Sequence, residues 1–358
     1  MALALALQQR GQRAQIFEAR ARHAFAEDQR ILALSFGSRQ ILESLGAWAQ
    51  LEATPILAIH VSQRGGFART RISAAEERLP ALGYVVAASA LGQALDAALR
   101  RAEVCVRERV RVSGAVANAA GVELASSAGT VPAQLVVWAE GGAGEAAIEH
   151  DYGQSAVICT VEVATPHANT AWERFTEQGP IALLPLGPRM ALVYSCASAR
   201  AEELIRMDDA AFLADLQANF GTRLEFVAAT PRALFPLSLR YRRSPLGARS
   251  IWLGNAAQTL HPVAGQGFNL ALRDVMQLAR SLAGASDPGH RDVLAAYAAA
   301  RRLDRIASIR LTDALVRAFA VKAPLARAAR GAALLALDLA PPLRHFLARR
   351  MIFGARAY

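Results

Sequence analysis

The chain has 358 residues, 53% of them apolar, and a formal net charge of +10. That length buries a sizeable core and leaves room for two domains, and the apolar share excludes a disordered chain. The charge does not mark a nucleic-acid binder, because the arginines are scattered along the whole sequence, aromatic residues make up only 6% and no stacking motif is visible. Cys105, Cys159 and Cys196 are widely spaced, form no metal or redox motif and read as buried thiols of a reducing compartment. No uninterrupted apolar run reaches the ~18 residues of a transmembrane helix. The opening ALALAL lacks the basic flank and cleavage site of a signal peptide.

In chain order, residues 2–10 read as a helix ending at Gly11, followed by a strand, AQIFEA, that ends near Glu18. An acidic residue at such a strand end is where nucleotide-binding α/β folds hold a ribose hydroxyl pair. Those folds also carry G-x-G-x-x-G on an earlier strand, about 20 residues upstream. Here the residues before Glu18 already begin in a helix, so that strand and its glycine loop are expected to be missing, leaving two strand edges unpaired. Residues 56–72 alternate around Arg64, Gly65 and Gly66 as a hairpin. A helix, ALGQALDAALRRA, comes next, then alternating runs from Val104 to Val131 that read as a β-meander. The strand QLVVWAEG ends in Glu140 and Gly141, and residues 155–245 are strand-rich, with ICTVEV, ALLPL and MALVYSC as candidate sheet strands. Basic residues thicken near the end, in RRLDRIASIR and LARRMIFGARAY, around alanine- and leucine-rich helical stretches. Such a tail suits an anionic membrane surface, and equally a solvated helix face.

The densest pattern is GNAAQTLHPVAGQGFNLALRD, Gly254 to Asp274. SIWLG before it reads as a buried strand ending at Gly254. After it, Leu270, Leu272, Val275, Met276, Leu278 and Ala279 recur at helical spacing, with Gly284 placed to close the helix. Gly265 and Gly267 let backbone N–H groups approach a ligand with no Cβ in the way. A glycine loop opening a helix presents free N–H groups and the positive dipole end to a phosphate or another electron-rich group. A tight strand-to-helix connection without a ligand fits the same spacing.

Beyond its spacing, this stretch resembles the second flavin-binding motif of aromatic-ring hydroxylases of the p-hydroxybenzoate hydroxylase type, and more closely that of the ubiquinone-biosynthesis hydroxylases acting on 2-polyprenyl-6-methoxyphenol. In that branch Asn and Gln stand where the wider motif has Asp and His, as Asn255 and Gln258 do here. AWERFTEQGPIALLPLG, Ala171 to Gly187, is similar to the same group, in which this sheet walls the substrate pocket. The resemblance implies that FAD is held by Glu18, Arg30, Gln93, Glu140, Gly141, Gly254, Asn255, Pro262, Gly265, Gln266, Gly267, Phe268 and Asn269. Glu140-Gly141 stands for an A-D-G motif, but the usual Ser and Arg after it are replaced by GAGEAAI. Pro262 matches a proline whose carbonyl lies beside the reacting centre. His261 is the one acid–base residue nearby, and a histidine packed against a glycine loop also has a purely structural reading.

The resulting expectation is an α/β fold: a Rossmann-like FAD-binding domain interrupted by a mostly antiparallel substrate domain, with a helical tail. Its pieces are FAD-binding segments at 1–55, 84–150 and 245–300, a substrate-domain hairpin at 56–83, the β-rich domain at 151–244 and the tail at 301–358. The resemblance implies that NAD(P)H reduces FAD and that a flavin C4a-hydroperoxide, formed with O2, passes an OH to a prenylated phenol. No side chain performs the central chemistry. The expected setting is cytoplasmic, on the inner face of the plasma membrane beside other quinone-biosynthesis proteins. The alternatives are a truncated, flavin-free homologue that is non-functional or serves only as a non-catalytic binding partner, and a flavin-dependent lipid reductase.

Overall fold

A computed structural model describes residues 1–66, 68–142, 144, 147–320 and 323–354. The end of the basic tail, 355–358, and part of the GAGEAAI stretch lie outside these residues.

Short parallel strands form the expected α/β core. Gln15–Glu18 pairs in parallel with Cys105–Glu108, and Val136–Trp138 pairs in parallel with Ser250–Trp252. Among the described residues these lie in two separate sheets, the first a two-stranded pair and the second extended by Leu246–Gly247, which runs antiparallel to Ser250–Trp252. They nevertheless share the same two layers. Ile16, Val106, Val137 and Ile251 join one apolar cluster with the helices, while Phe17 packs with Val136 and Trp138 against the neighbouring meander. On the helical side, the strongly amphipathic Gly267–Leu282 buries Leu270, Leu272, Val275, Leu278, Ala279 and Leu282 against Ala2–Gln8, whose Leu5 and Leu7 face the same core.

The meander is smaller than expected. The first alternating run, Cys105–Glu108, is the parallel partner of Gln15–Glu18. Only Val112–Ala117, Val122–Ser126 and Gly129–Ala133 form the antiparallel meander. Alternation fixes which side chains share a face and is silent about the direction of the partner strand.

The large sheet is built on Ile148–Val163, a 16-residue strand flanked by Arg189–Ala197 on one side and by Ala233–Tyr241 and Phe226–Ala229 on the other. Pro180–Leu186, Thr170–Phe175 and the hairpin Ala58–Gln63/Arg69–Ser73 extend it, with Thr170–Phe175 parallel to Ala58–Gln63. Its far face buries Val157, Ile181, Leu183, Leu192 and Tyr194 under Asp209–Phe220.

Two sequence expectations change. Of the cysteines only Cys196 is buried, its thiol pushed up to about 11 by desolvation, whereas Cys105 is exposed. A single helix, Arg291–Ala320, runs straight through residue 300, where the tail was expected to begin. Its RRLDRIASIR segment is split between two faces: Arg301 and Arg305 are 6% and 9% exposed and bonded into the core, whereas Arg302, Leu303, Ile306 and Arg310 are exposed. The following helices, Pro324–Leu339 and Pro341–Phe353, pack on the body, with Ala348 and Ile352 in a cluster with Phe36 and Leu82.

Candidate active site

The strand Ser250–Trp252 delivers the chain into Gly254–Ala256, a single 3₁₀ turn, and then to His261. His261 caps a second 3₁₀ turn, Pro262–Ala264, by accepting the Val263 N–H on Nδ1 at 3.2 Å, with Pro262 in the first-turn position that suits its fixed φ. Gly265 then takes the left-handed conformation at φ 59°, ψ 21°, which a side chain would strain, and the helix Gly267–Leu282 starts. No side chain caps that helix. A Cβ built on Gly267 meets no atom within 4 Å, so the backbone at the helix start borders open space. An uncapped helix N-terminus with an open glycine face fits the electron-rich edge of a cofactor.

Asn269 holds the loop in place. Its Oδ1 accepts from Ser35 N at 2.8 Å and Ser38 Oγ at 2.7 Å, and its Nδ2 donates to Ala33 O at 3.0 Å and Gly265 O at 2.6 Å. All of its hydrogen bonds are internal, so it acts by fixing Gly265 against the strand Ile31–Ser35. Gln266 is 8% exposed and donates to Met351 O at 3.3 Å, tying the same loop to the last helix, while Phe268 is half-buried against the core.

The other expected cofactor residues sit mostly at strand ends. Glu18 closes Gln15–Glu18, its Oε1 accepting from the backbone and side chain of Arg20. Glu140 and Gly141 follow Val136–Trp138, and Gly254 and Asn255 follow Ser250–Trp252, each at the carboxyl end of a parallel strand, where α/β sheets bind ligands. Arg30 precedes Ile31–Ser35 and is held by Asp28 at 2.6 Å. Gln93 is exposed on the helix Ala88–Arg101.

Gln258 has a different task, which sequence reading missed. It is 3% exposed, donates to Asp274 Oδ2 at 2.9 Å and accepts from Arg305 Nε at 2.7 Å. Asp274 accepts from Arg301 Nε at 2.6 Å. Arg301 also donates to Asp304 at 2.6 Å, and Arg273 reaches Asp304 at 2.8 Å. This buried lattice clamps the loop-bearing helix to Arg291–Ala320.

That second helix completes a cavity of about 480 Å³. One wall is the large sheet, through Tyr152, Gln154, Phe175, Pro180 and Cys196; another is Leu315, Val316 and Phe319; the third is His261 and Val263 of the glycine loop. Pro262 stands between the last two and is exposed. His261 is 2% exposed, lies edge-on to Tyr152 at 5.8 Å, and is pushed down to about 4 by desolvation, so its imidazole is neutral near pH 7. Only the i, i+4 spacing of Leu315 and Phe319, with Val316 between them, could have marked the long helix as cavity-lining, and any core-facing helix shows that spacing.

A glycine-loop helix at the end of a parallel strand, facing a cavity against an antiparallel sheet, fits the class of flavin-dependent ring hydroxylases, and sequence comparison places the chain there. A family model described as FAD binding domain matches residues 1–310. Ubiquinone hydroxylase UbiL of Rhodospirillum rubrum is 36% identical over 321 residues, covering 85% of this chain and 75% of its own. The 3-demethoxyubiquinol 3-hydroxylase of Escherichia coli is 31% identical, covering 96% and 93%. In fold, HpxO of Klebsiella pneumoniae, solved with FAD and uric acid, superposes with a TM-score of 0.77 at 18% identity, covering 99% of this chain and 94% of its own. The chain belongs to the FAD-dependent ubiquinone-biosynthesis hydroxylases: it is a monooxygenase with FAD as cofactor, in a family that typically uses NAD(P)H as reductant.

Proposed function

We propose that the chain hydroxylates a polyprenyl phenol of the 2-polyprenyl-6-methoxyphenol kind, bound in the cavity between the large sheet and the His261–Gly265 loop. The observation that carries this reading is the cavity itself, which brings an apolar, partly aromatic wall against the turn that opens the glycine-loop helix. When bound, FAD supplies electrons from NAD(P)H and activates O2 for transfer of one oxygen atom to the ring. Backbone of Gly265, Gln266, Gly267 and Phe268 would hold its ring system, with Pro262 beside the reacting face. Glu18, Arg30, Gln93, Glu140, Gly141, Gly254 and Asn255 would hold the rest, and Asn269 sets the loop. Phe175, Pro180, Leu315, Val316 and Phe319 orient the phenol and keep water out. With FAD-loaded protein, NAD(P)H and a short-chain 2-methoxy-6-prenylphenol, O2 uptake should accompany a product one oxygen atom heavier by mass spectrometry. O2 uptake yielding only hydrogen peroxide would refute this substrate class.

We also infer that the chain rests on an anionic membrane surface through its last two helices. No described helix is long and apolar enough to cross a bilayer. Leu325 and Leu339 of Pro324–Leu339 are instead 83% and 72% exposed, Ala332, Ala333 and Ala336 of that helix are exposed too, and Leu343 of Pro341–Phe353 is 49% exposed. Apolar side chains on a basic chain favour the interface of anionic lipid. Deleting the tail is a poor test, because Ala348 and Ile352 belong to the core. The double substitution L339E/L343E should instead cut sedimentation with phosphatidylglycerol vesicles by about tenfold, given roughly 0.8 kcal/mol per buried methylene, and leave the melting temperature unchanged. Equal sedimentation of wild type and variant would remove the membrane reading.

A further inference from the structure

The polar side chains of the cavity are unevenly satisfied. Tyr152 donates its O–H to Asp313 at 2.8 Å, Arg200 is held by Asp215 and Glu203, Gln178 Oε1 accepts from Tyr194 at 2.9 Å, and Glu177 is paired with Arg327. Among the described residues, His261 Nε2 and Gln154 Oε1 are the buried side-chain polar atoms of the cavity lining that have no partner.

The identity of the His261 atom follows from its other nitrogen. Nδ1 accepts the Val263 N–H and therefore carries a lone pair. The neutral ring then bears its proton on Nε2, at the end away from the capped turn. A buried N–H with no acceptor destabilises a fold, and the native exceptions call for a reason. The cavity supplies one: a ring hydroxyl accepts from one neighbour and donates to another, which complements a free donor at His261 and a free acceptor at Gln154.

We propose that His261 is a substrate-contacting residue whose Nε2–H donates a hydrogen bond to the ring hydroxyl oxygen of the phenol. This assignment rests on the phenol reading above. The neutral ring contributes a fixed donor that sets the angle of the ring in the cavity; no proton leaves it. Gln154 Oε1 accepts a hydrogen bond from the phenol O–H, which keeps its proton.

Two substitutions separate the donor from the helix cap. Asn places its amide oxygen where Nδ1 lies, so H261N keeps the cap and loses the donor; Gln reaches the Nε2 position, so H261Q keeps a donor and loses the cap. The probes are 2-methoxy-6-prenylphenol and the same molecule with the hydroxyl replaced by hydrogen, titrated into FAD-loaded protein by the change in flavin absorbance. Wild type should bind the phenol roughly tenfold tighter than the deoxy probe, H261N should bind both alike, and H261Q should restore most of the preference. The melting temperatures should run the other way, with H261N near wild type and H261Q lower. H261Q against H261L decides the same question where both variants have lost the cap, which covers a poorly folding H261N. A wild-type preference retained by H261N, or by H261L, overturns the assignment alone. A wild type that binds neither probe overturns the phenol reading and this assignment with it.

Discussion

Arg301→Met is expected to cost the fold about 3–5 kcal/mol, the usual penalty for removing one partner of a buried ion pair. Ordinary domains have only about 5–15 kcal/mol to lose, so the variant should unfold at much lower urea. Asp274 is 2% exposed and holds its charge through Arg301 Nε at 2.6 Å and the Gln258 amide at 2.9 Å. Burial already pushes this carboxyl up against the pull of Arg301. Without the guanidinium, desolvation is opposed only by the Gln258 amide and the Arg273 charge, and the folded-state pKa rises further above the unfolded value. A raised carboxyl pKa contributes stability that is present at low pH and lost as pH rises. The deficit of R301M relative to wild type should therefore be largest near pH 7 and shrink toward pH 5. Urea unfolding of both proteins at the two pH values measures it, and a deficit independent of pH would show that Asp274 is not the group left uncompensated. D274N/R301M should lose less than the sum of its single variants, since both act on one network.

Gly267→Val should leave a folded protein that no longer retains flavin. Space is the reason: a Cβ at Gly267 meets no atom within 4 Å, so the side chain begins in the open region at the helix start instead of against core packing. If the backbone of Gly265–Phe268 meets the cofactor there, a branched side chain holds the ring system away and exposes the helix N–H groups to water. The Kd for FAD should rise by roughly a hundredfold, equivalent to about 2.7 kcal/mol. Purified G267V should lack the visible absorbance of bound flavin while its circular dichroism and melting temperature match those of flavin-stripped wild type. A yellow G267V would mean that the cofactor approaches from elsewhere. Gly265 cannot serve for this test, because its left-handed φ of 59° would strain any replacement and confound loss of ligand with loss of fold.

The sequence by itself determined the features that depend on neighbours in the chain. SIWLG had to be a strand that stops at a glycine, the glycine pair had to be a tight loop, and Leu270 to Leu282 had to be a helix with one apolar face, because each follows from local backbone freedom or from a 3.6-residue period. The α/β class and the hydroxylase resemblance followed from that stretch and from Ala171–Gly187. Tertiary structure decided everything that depends on partners distant in sequence. The run at Cys105 looked like part of a meander because alternation is blind to strand direction, and only the register with Gln15–Glu18 makes it parallel. Asn269 looked like a ligand contact, yet its four bonds go to the chain itself, three of them more than 230 residues away. Arg301 and Arg305 looked like surface charge, since nothing local reveals that Asp274 and Gln258 wait for them in the core. The cavity was the least legible feature, because its walls come from a sheet, a loop and a helix that meet only in the folded chain. His261 was visible as a candidate from the first reading; only the fold showed which of its nitrogens is occupied by the Val263 N–H and which is left for a ligand.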